Sequence, residues 1–293
     1  MTKRFFPSLI FFLIFLLITL NIKAINQGVI TTIILWYHNI LPTIPVSYFL
    51  GNLLYFYNKI PLILYPILSK VFSFENKNSF LLFIISIIVG NPTSTYLITS
   101  TFEENLISSH EANRLLKFSS FISLFFILFV LEKAISIPLL LGQLLSSFLI
   151  NRLNKPIKTN NNTVSTNISL TTLINKLPVI LLNILSTMIL TTVLTIPIKL
   201  IFSDSLFFIP TFISFFEITS GINTLTSLYT NILLVFFSSL LISFQGVSIT
   251  LQVISLLKEK KLNVQSYLKY RLIHAFLATT FSILFYLVFK FFF

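Results

Sequence analysis

Three polar clusters interrupt an otherwise apolar chain, and they are where this sequence could do chemistry. The first centres on Glu217, in the run Phe215-Phe216-Glu217-Ile218-Thr219-Ser220-Gly221. A carboxyl group inside a lipid-embedded helix is costly, and such groups usually face a cavity or a partner. At helical spacing Glu217, Ser220, Gly221 and Thr224 share one face. That face would offer an acid, two hydroxyls and a bare stretch of backbone, suited to cation or proton coupling or to accepting a hydrogen bond from a polar solute. The plainer alternative is a carboxyl that ties one helix to another or lies at the membrane interface. The second cluster is Gln245-Gly246 with Ser248, Gln252 and Ser255, which fall on one helical stripe. Uncharged polar residues often only join membrane helices, at about 0.6 kcal/mol per bond. Here they follow a glycine break, which favours a site. The third is Gly90-Asn91-Pro92-Thr93-Ser94. Proline suits the first turn of a helix, and exposed amides at such a start can hold an anionic or polar group. Otherwise the run is a tight loop between two membrane helices.

Enzyme chemistry has little to work with. His38, His110 and His274 are scattered; His110 reads as a loop residue and His274 as an interfacial one. No HExxH run, paired histidines or glycine-rich phosphate loop occurs, and the serines lack a nucleophile elbow. The absence of cysteine excludes disulfides and thiolate metal sites. We therefore expect no catalytic residues, no metal site, no cofactor and no enzymatic activity.

The elements that must carry these clusters are membrane helices. The chain has 293 residues, of which 55% are hydrophobic and only 10% charged, with a mean hydropathy of +0.94. Soluble domains carry about 25% charged residues. The apolar runs are continuous rather than alternating, which excludes a β-barrel pattern. With ~20 apolar residues per crossing, there is room for roughly eight to ten transmembrane or half-membrane helices. The fold expected is therefore an all-α polytopic membrane protein with broken or re-entrant segments. The net charge of +12 sits at the ends of apolar runs, as in Lys3, Arg4, Lys23, Arg152 and Lys258. That is a topology signal and not a nucleic-acid surface. Residues 5–20 read as a retained first helix, since no small-residue cleavage site follows.

Residues 25–57 are interrupted by Pro42 and Pro45 and predict two helices or a broken hairpin. Residues 80–89 and 93–101 are each too short to span. Residues 115–131 and 135–150 predict spanning helices. Residues 151–167 are the polar linker, rich in Asn, Lys and Arg, and are expected on the cytoplasmic side. Gly90 and Gly246 each lie at a break, and Arg114 and Arg271 follow them at nearly equal distances, each expected to open a long helix. Paired interrupted segments are the sequence sign of a repeat-built transporter. The organisation expected is an N-terminal helix over 1–24, a first gate-like repeat over 25–150, a linker over 151–168 and a second repeat over 169–293.

Several stretches together resemble the YlbJ family of sporulation integral membrane proteins, which carry a gate or nucleoside-recognition domain. They are Trp36-Tyr37-His38-Asn39-Ile40-Leu41-Pro42, Gly90-Asn91-Pro92, Glu111-Ala112-Asn113-Arg114-Leu115-Leu116, Phe216-Glu217-Ile218-Thr219-Ser220-Gly221, the run 246–253, and Tyr270-Arg271-Leu272-Ile273-His274-Ala275. They come in the family's order and cover most of the chain. The resemblance implies a multi-pass protein of a bacterial cell membrane, acting in sporulation and in transport or recognition of a small polar solute. The alternative is a non-transporting scaffold for spore envelope or coat assembly. The partners implied are the lipid bilayer and that unidentified solute, with a second copy of the chain left open and nucleic acid excluded.

Overall fold

The computed structural model describes residues 12, 15–57, 62–157, 170–201 and 208–292. Most of the N-terminal run 5–20 and most of the Asn-rich linker lie outside them. Among the described residues the chain is helical and has no strand. Five stretches are long and apolar enough to cross a membrane: Ile22–Tyr55, Lys133–Leu153, Ile174–Ile201, Asn231–Glu259 and Val264–Phe292. The protein is an all-α, multi-pass membrane protein by architecture.

The first crossing joins α1 (Ile22–Leu35) to α2 (Leu41–Phe56) through a π-helical turn, Trp36–Ile40. The prolines do not break it, contrary to the reading of the sequence. The wide turn closes with the Leu41 amide on the Trp36 carbonyl. Pro42 then occupies the first turn of α2, where its missing N–H is tolerated, and Pro45 follows inside the helix. After α3 (Tyr65–Val71) comes a re-entrant hairpin, α4 (Lys77–Val89) and α5 (Thr93–Glu103). Asn76 caps α4 by accepting from the Ser79 amide. Its own amide nitrogen reaches the Leu106 carbonyl, so both feet of the hairpin stand at the same end of the molecule.

The expected spanning helix over 115–131 is broken. It consists of α6 (Ser109–Phe118), a non-helical stretch 119–123, and α7 (Leu124–Val130). Then α8 (Lys133–Leu153) returns across the membrane. Arg114 accordingly lies in a ten-residue amphipathic helix and does not open a long one. The long α9 (Leu170–Ile201) follows and packs on α1, where Thr32 and Thr192 share a hydrogen bond of 2.7 Å.

The rest of the chain repeats the preceding order. A second hairpin, α10 (Phe208–Ser214) and α11 (Ile218–Leu228), leads to a second broken helix. That helix is α12 (Asn231–Phe244) and α13 (Gly246–Glu259), and the long α14 (Val264–Phe292) completes the set. Hairpin, broken helix and long helix thus occur twice, over 77–153 and over 208–292, with α1, α2, α3 and α9 outside the pattern. Directions are opposite. Ser147 meets His274, and Gly142 lies against Ala278 and Ser282, so α8 and α14 run antiparallel. The first hairpin enters from the end that carries the 104–108 and 260–263 turns, where Asn113 caps the Asn263 amide. We call this the near end. The second hairpin enters from the far end. In this order the Gly90 break corresponds to 215–217 and the 119–123 break to Gln245, a different pairing from the Gly90–Gly246 match suggested by sequence.

Lipid offers no hydrophobic drive to join helices, so close packing and polar contacts do it. At Gly142 a Cβ would sit 2.3 Å from Ser282 Oγ and 2.7 Å from the Ala278 carbonyl oxygen, so only glycine permits this approach of α8 to α14. Among the many phenylalanines, Phe72, Phe74, Phe80, Phe83, Phe118 and Phe121 form one ring cluster that packs the first hairpin against α6.

Candidate functional site

A break in a membrane helix frees backbone amides and carbonyls, and these must find partners in protein or water. Here each hairpin tip supplies partners for a broken helix. At the first tip Gly90 has φ +72°, and a Cβ there would lie 2.1 Å from the Ser123 nitrogen. The Asn91 amide then donates to the Phe121 carbonyl at 2.8 Å, and the Ser123 hydroxyl donates to the Ile88 carbonyl at 2.9 Å. At the second tip the Phe215 and Phe216 carbonyls accept from the amides of Val247 and Ser248 at 2.9 and 3.0 Å. Those amides open α13.

Gln245 links the two systems. It holds a left-handed backbone, φ +76°, which is uncommon for a residue with a side chain and turns α12 into α13. Its Oε1 accepts from Asn91 Nδ2 at 2.9 Å, and its Nε2 donates to the Ser120 carbonyl at 2.9 Å. Asn91 Oδ1 in turn accepts from Ser94 and Thr95. Asn91 of the first set and Gln245 of the second are therefore one buried pair.

Two charges stand at these breaks, each at a helix end of the opposite sign. Arg271 is 2% exposed and has no carboxylate partner among the described residues. Its Nη1 donates to the Ser120 carbonyl, just past the C-terminus of α6, where the backbone dipole is negative. Its Nη2 donates to His274 Nδ1. A guanidinium can only donate, so His274 carries its proton on Nε2 and offers it to Ser147 Oγ, 3.1 Å away. Arg271 Nε is buried with no partner.

Glu217 is not in mid-helix as the sequence suggested. It has an extended backbone and caps α11, its carboxylate accepting from the Thr219 and Ser220 amides at 2.9 and 2.6 Å. The positive end of α11 compensates the charge. Serine, glycine and acid therefore do not form the predicted stripe. Ser220 gives Glu217 its backbone amide, Gly221 packs against the end of α10, and the Thr224 hydroxyl returns to the Ser220 carbonyl.

The remaining expected residues fall around this centre. Gly246 lies against the Phe215 carbonyl. Gln245 is off the helix, so the stripe on α13 reduces to Ser248, Gln252 and Ser255. Ser248 and Gln252 both donate to Thr187 Oγ1 of α9. Thr93 is fully buried and its hydroxyl has no partner, while Pro92 precedes the first turn of α5. The break region thus joins the three clusters in one run, from Asn91 through Gln245 to Val247, whose amide meets the Phe215 carbonyl two residues before Glu217. His274 is not interfacial but sealed between α8 and α14. Sequence reasoning missed Ser120, Thr187 and the Arg271–His274 pair. The doublet Ser119-Ser120 inside an apolar run, and a histidine one turn beyond an arginine, were the available signals. No cluster of His, Cys, Asp or Glu fit to hold a metal occurs among the described residues.

Compared with protein-family models, with curated proteins and with solved structures, the chain matches none of them.

Proposed function

We propose that this chain is a membrane gate of the YlbJ type, which recognises a small polar solute and passes it across a bacterial membrane during sporulation. One observation carries the reading. Two hairpins enter from opposite ends, and their tips satisfy the backbone of two broken helices at a single buried centre. Such an arrangement can open toward either end by exchanging the same hydrogen bonds, the geometry that alternating access needs. The polar side chains at the tips and breaks, Asn91, Gln245, Ser248 and Glu217, are those that a solute would engage when a tip withdraws. Glu217 moves with the second tip, and Arg271, held by a half-helix end and one imidazole, belongs to the break region that rearranges with it.

Orientation follows from charge. The near end carries Lys77, Lys117, Arg152, Lys155, Lys258 and Lys261, and the far end carries Lys23, Lys133, Lys199 and Lys290. An excess of basic residues marks the cytoplasmic side, so the first hairpin enters from the cytoplasm.

The test is a screen of solutes by thermal unfolding of the detergent-solubilised chain, followed by uptake into proteoliposomes. Nucleosides, divalent metals and small organic anions form the panel, with Glu217→Gln as control. A bound solute raises the unfolding midpoint in proportion to the logarithm of its concentration over its Kd. The gate reading expects at least one hit, weakened in Glu217→Gln and followed by uptake. No hit at millimolar concentration with folded protein would favour the scaffold alternative.

A further inference from the structure

Topology accounts for the basic residues of the near end, where an excess of lysine and arginine orients a multi-pass chain. It calls for none at the far end. Two far-end lysines nevertheless meet. Lys133 and Lys290 line one cavity of about 380 Å³ between the start of α8 and the end of α14. The two helices run antiparallel, which brings residues from distant parts of the chain to the same groove. Both lysines are exposed. Neither makes an ion pair or a side-chain hydrogen bond among the described residues. Glu132, next to Lys133 in the chain, is exposed and is not part of the wall.

The groove is layered. Each helix offers a lysine toward its end and an apolar or aromatic side chain four residues deeper, on the same face: Lys133 with Ile137 on α8, and Lys290 with Tyr286 on α14. Tyrosine and lysine at the ends of membrane helices sit at the level of the lipid head groups. The charged rim therefore lies at the water boundary and the floor lies beside the acyl chains. Ile137 is 40% exposed and belongs to that floor. Pro138 is also in the wall. It has no N–H, so the Ala134 carbonyl, one turn earlier in the same wall, lacks its ordinary helical donor.

From two unpaired cations above an apolar floor, we infer that the far-end groove between α8 and α14 binds one anionic phospholipid. Its phosphate lies between Lys133 and Lys290, and an acyl chain runs along Ile137 and Tyr286. Lysine binds phosphate as a point charge, and basic pockets between membrane helices take anionic head groups. A zwitterionic lipid carries an ammonium group of its own, which the two lysines repel. A hydroxyl on a glycerol head group supplies the donor that the Ala134 carbonyl lacks. Free phosphate would answer the lysines and leave the floor uncovered, so the apolar part of the groove selects a lipid. The inference needs only the multi-pass architecture and stands apart from the gate reading.

The experiment is native mass spectrometry of the full chain in detergent, titrated with dioleoylphosphatidylglycerol and, separately, with dioleoylphosphatidylcholine. One phosphatidylglycerol should bind at least tenfold tighter than phosphatidylcholine. Lys133→Gln with Lys290→Gln should lower it to the level of phosphatidylcholine. Lys23→Gln with Lys199→Gln removes the same charge from the same end and should leave the preference within twofold. Ile137→Trp fills the floor, keeps both lysines, and should weaken phosphatidylglycerol fivefold or more. Circular dichroism in lipid-free detergent checks that each variant is folded, and if the paired lysine variant is not, the native chain and Ile137→Trp still decide. Equal binding of the two lipids, the same loss of preference in the Lys23 and Lys199 pair, or an unaltered Ile137→Trp would overturn the inference. Displacement of the lipid by millimolar glycerol phosphate would show that the lysines hold a free anion, and would overturn it as well.

Discussion

Arg114 and Arg271 are equally hidden, at 1% and 2% exposure, but the protein treats them differently. Arg114 sits at the near end in a closed set of partners. Glu111 takes it through both carboxylate oxygens, at 2.5 and 2.7 Å, and the carbonyls of Ser73 and Asn154 each take one further N–H, so every nitrogen has a partner. Asn151 then clamps the Ser73 backbone with two bonds. The group joins α3, α6 and the end of α8 into a fixed base. Arg271 has no acid. It relies on the end of a half-helix, one imidazole and packing, and it leaves one nitrogen unanswered. The arginine whose every nitrogen has a partner marks where the fold is fastened, and the one with an unanswered nitrogen marks the break region that the gate reading requires to move.

The largest expected effect lies at the base. Glu111→Gln leaves the Arg114 guanidinium buried without its anion and should cost about 3–5 kcal/mol of stability. The double change Glu111→Leu with Arg114→Met should recover much of that loss, because it removes both desolvation costs. Unfolding in detergent, followed by circular dichroism, measures both. Equal losses in single and double variants would break the contrast.

Arg271→Met should behave differently. It leaves no opposite charge stranded, and Gln245 still donates to the Ser120 carbonyl. The net stability loss should stay within about 2 kcal/mol, while solute uptake falls to background. A loss as large as that for Glu111→Gln would make Arg271 a second fastening point and not part of a gate.

The smallest effect is expected at the near end, in the turn after α13. Lys260 Nζ lies 2.8 Å from Glu103 and 2.7 Å from Glu259. Its hydrogen bond to Glu103, then that to Glu259, raises its pKa above the ordinary lysine value. The folded chain therefore holds this proton more tightly than the unfolded one. The contribution is complete below the unfolded value, about 10.4, and fades as pH rises through the raised one. Because Glu103 is half exposed, Lys260→Gln should cost no more than about 1 kcal/mol, less in high salt, and the cost should be unchanged between pH 6 and pH 9 within roughly that limit. A pH-dependent loss in that window would place another titrating group beside Lys260.

Much of this architecture was legible in the sequence. Continuous apolar runs gave the membrane helices, and Gly90 with its proline gave the first tip. Breaks made without glycine or proline were not. Ser119 to Ser123 and Phe215 to Glu217 carry ordinary side chains, and what interrupts the helix there is tertiary. Each stretch trades its own helical bonds for those of a hairpin tip or a crossing helix. Pro42 and Pro45 misled in the opposite sense, because the π-turn leaves Pro42 in the first turn of α2, where its missing N–H is tolerated, and the helix continues through Pro45. The polar clusters were found, but their helical register was not. Both Glu217 and Gln245 leave the helix at the position where a stripe was expected to begin, and that departure lets Gln245 reach Asn91 and sets Glu217 on the amides of α11.

The central claim is that the sealed break region opens to water. Thr93 is fully buried at the first tip with an unpartnered hydroxyl, and the native chain has no cysteine. Thr93→Cys therefore places a single thiol there at little structural cost. Its reaction with a membrane-impermeant thiol reagent in sealed proteoliposomes is the direct measurement. A gate gives complete labelling of folded protein on the minutes scale, slowed by a bound solute. Labelling only after denaturation would mean that the tips stay closed and that the chain is not a gate.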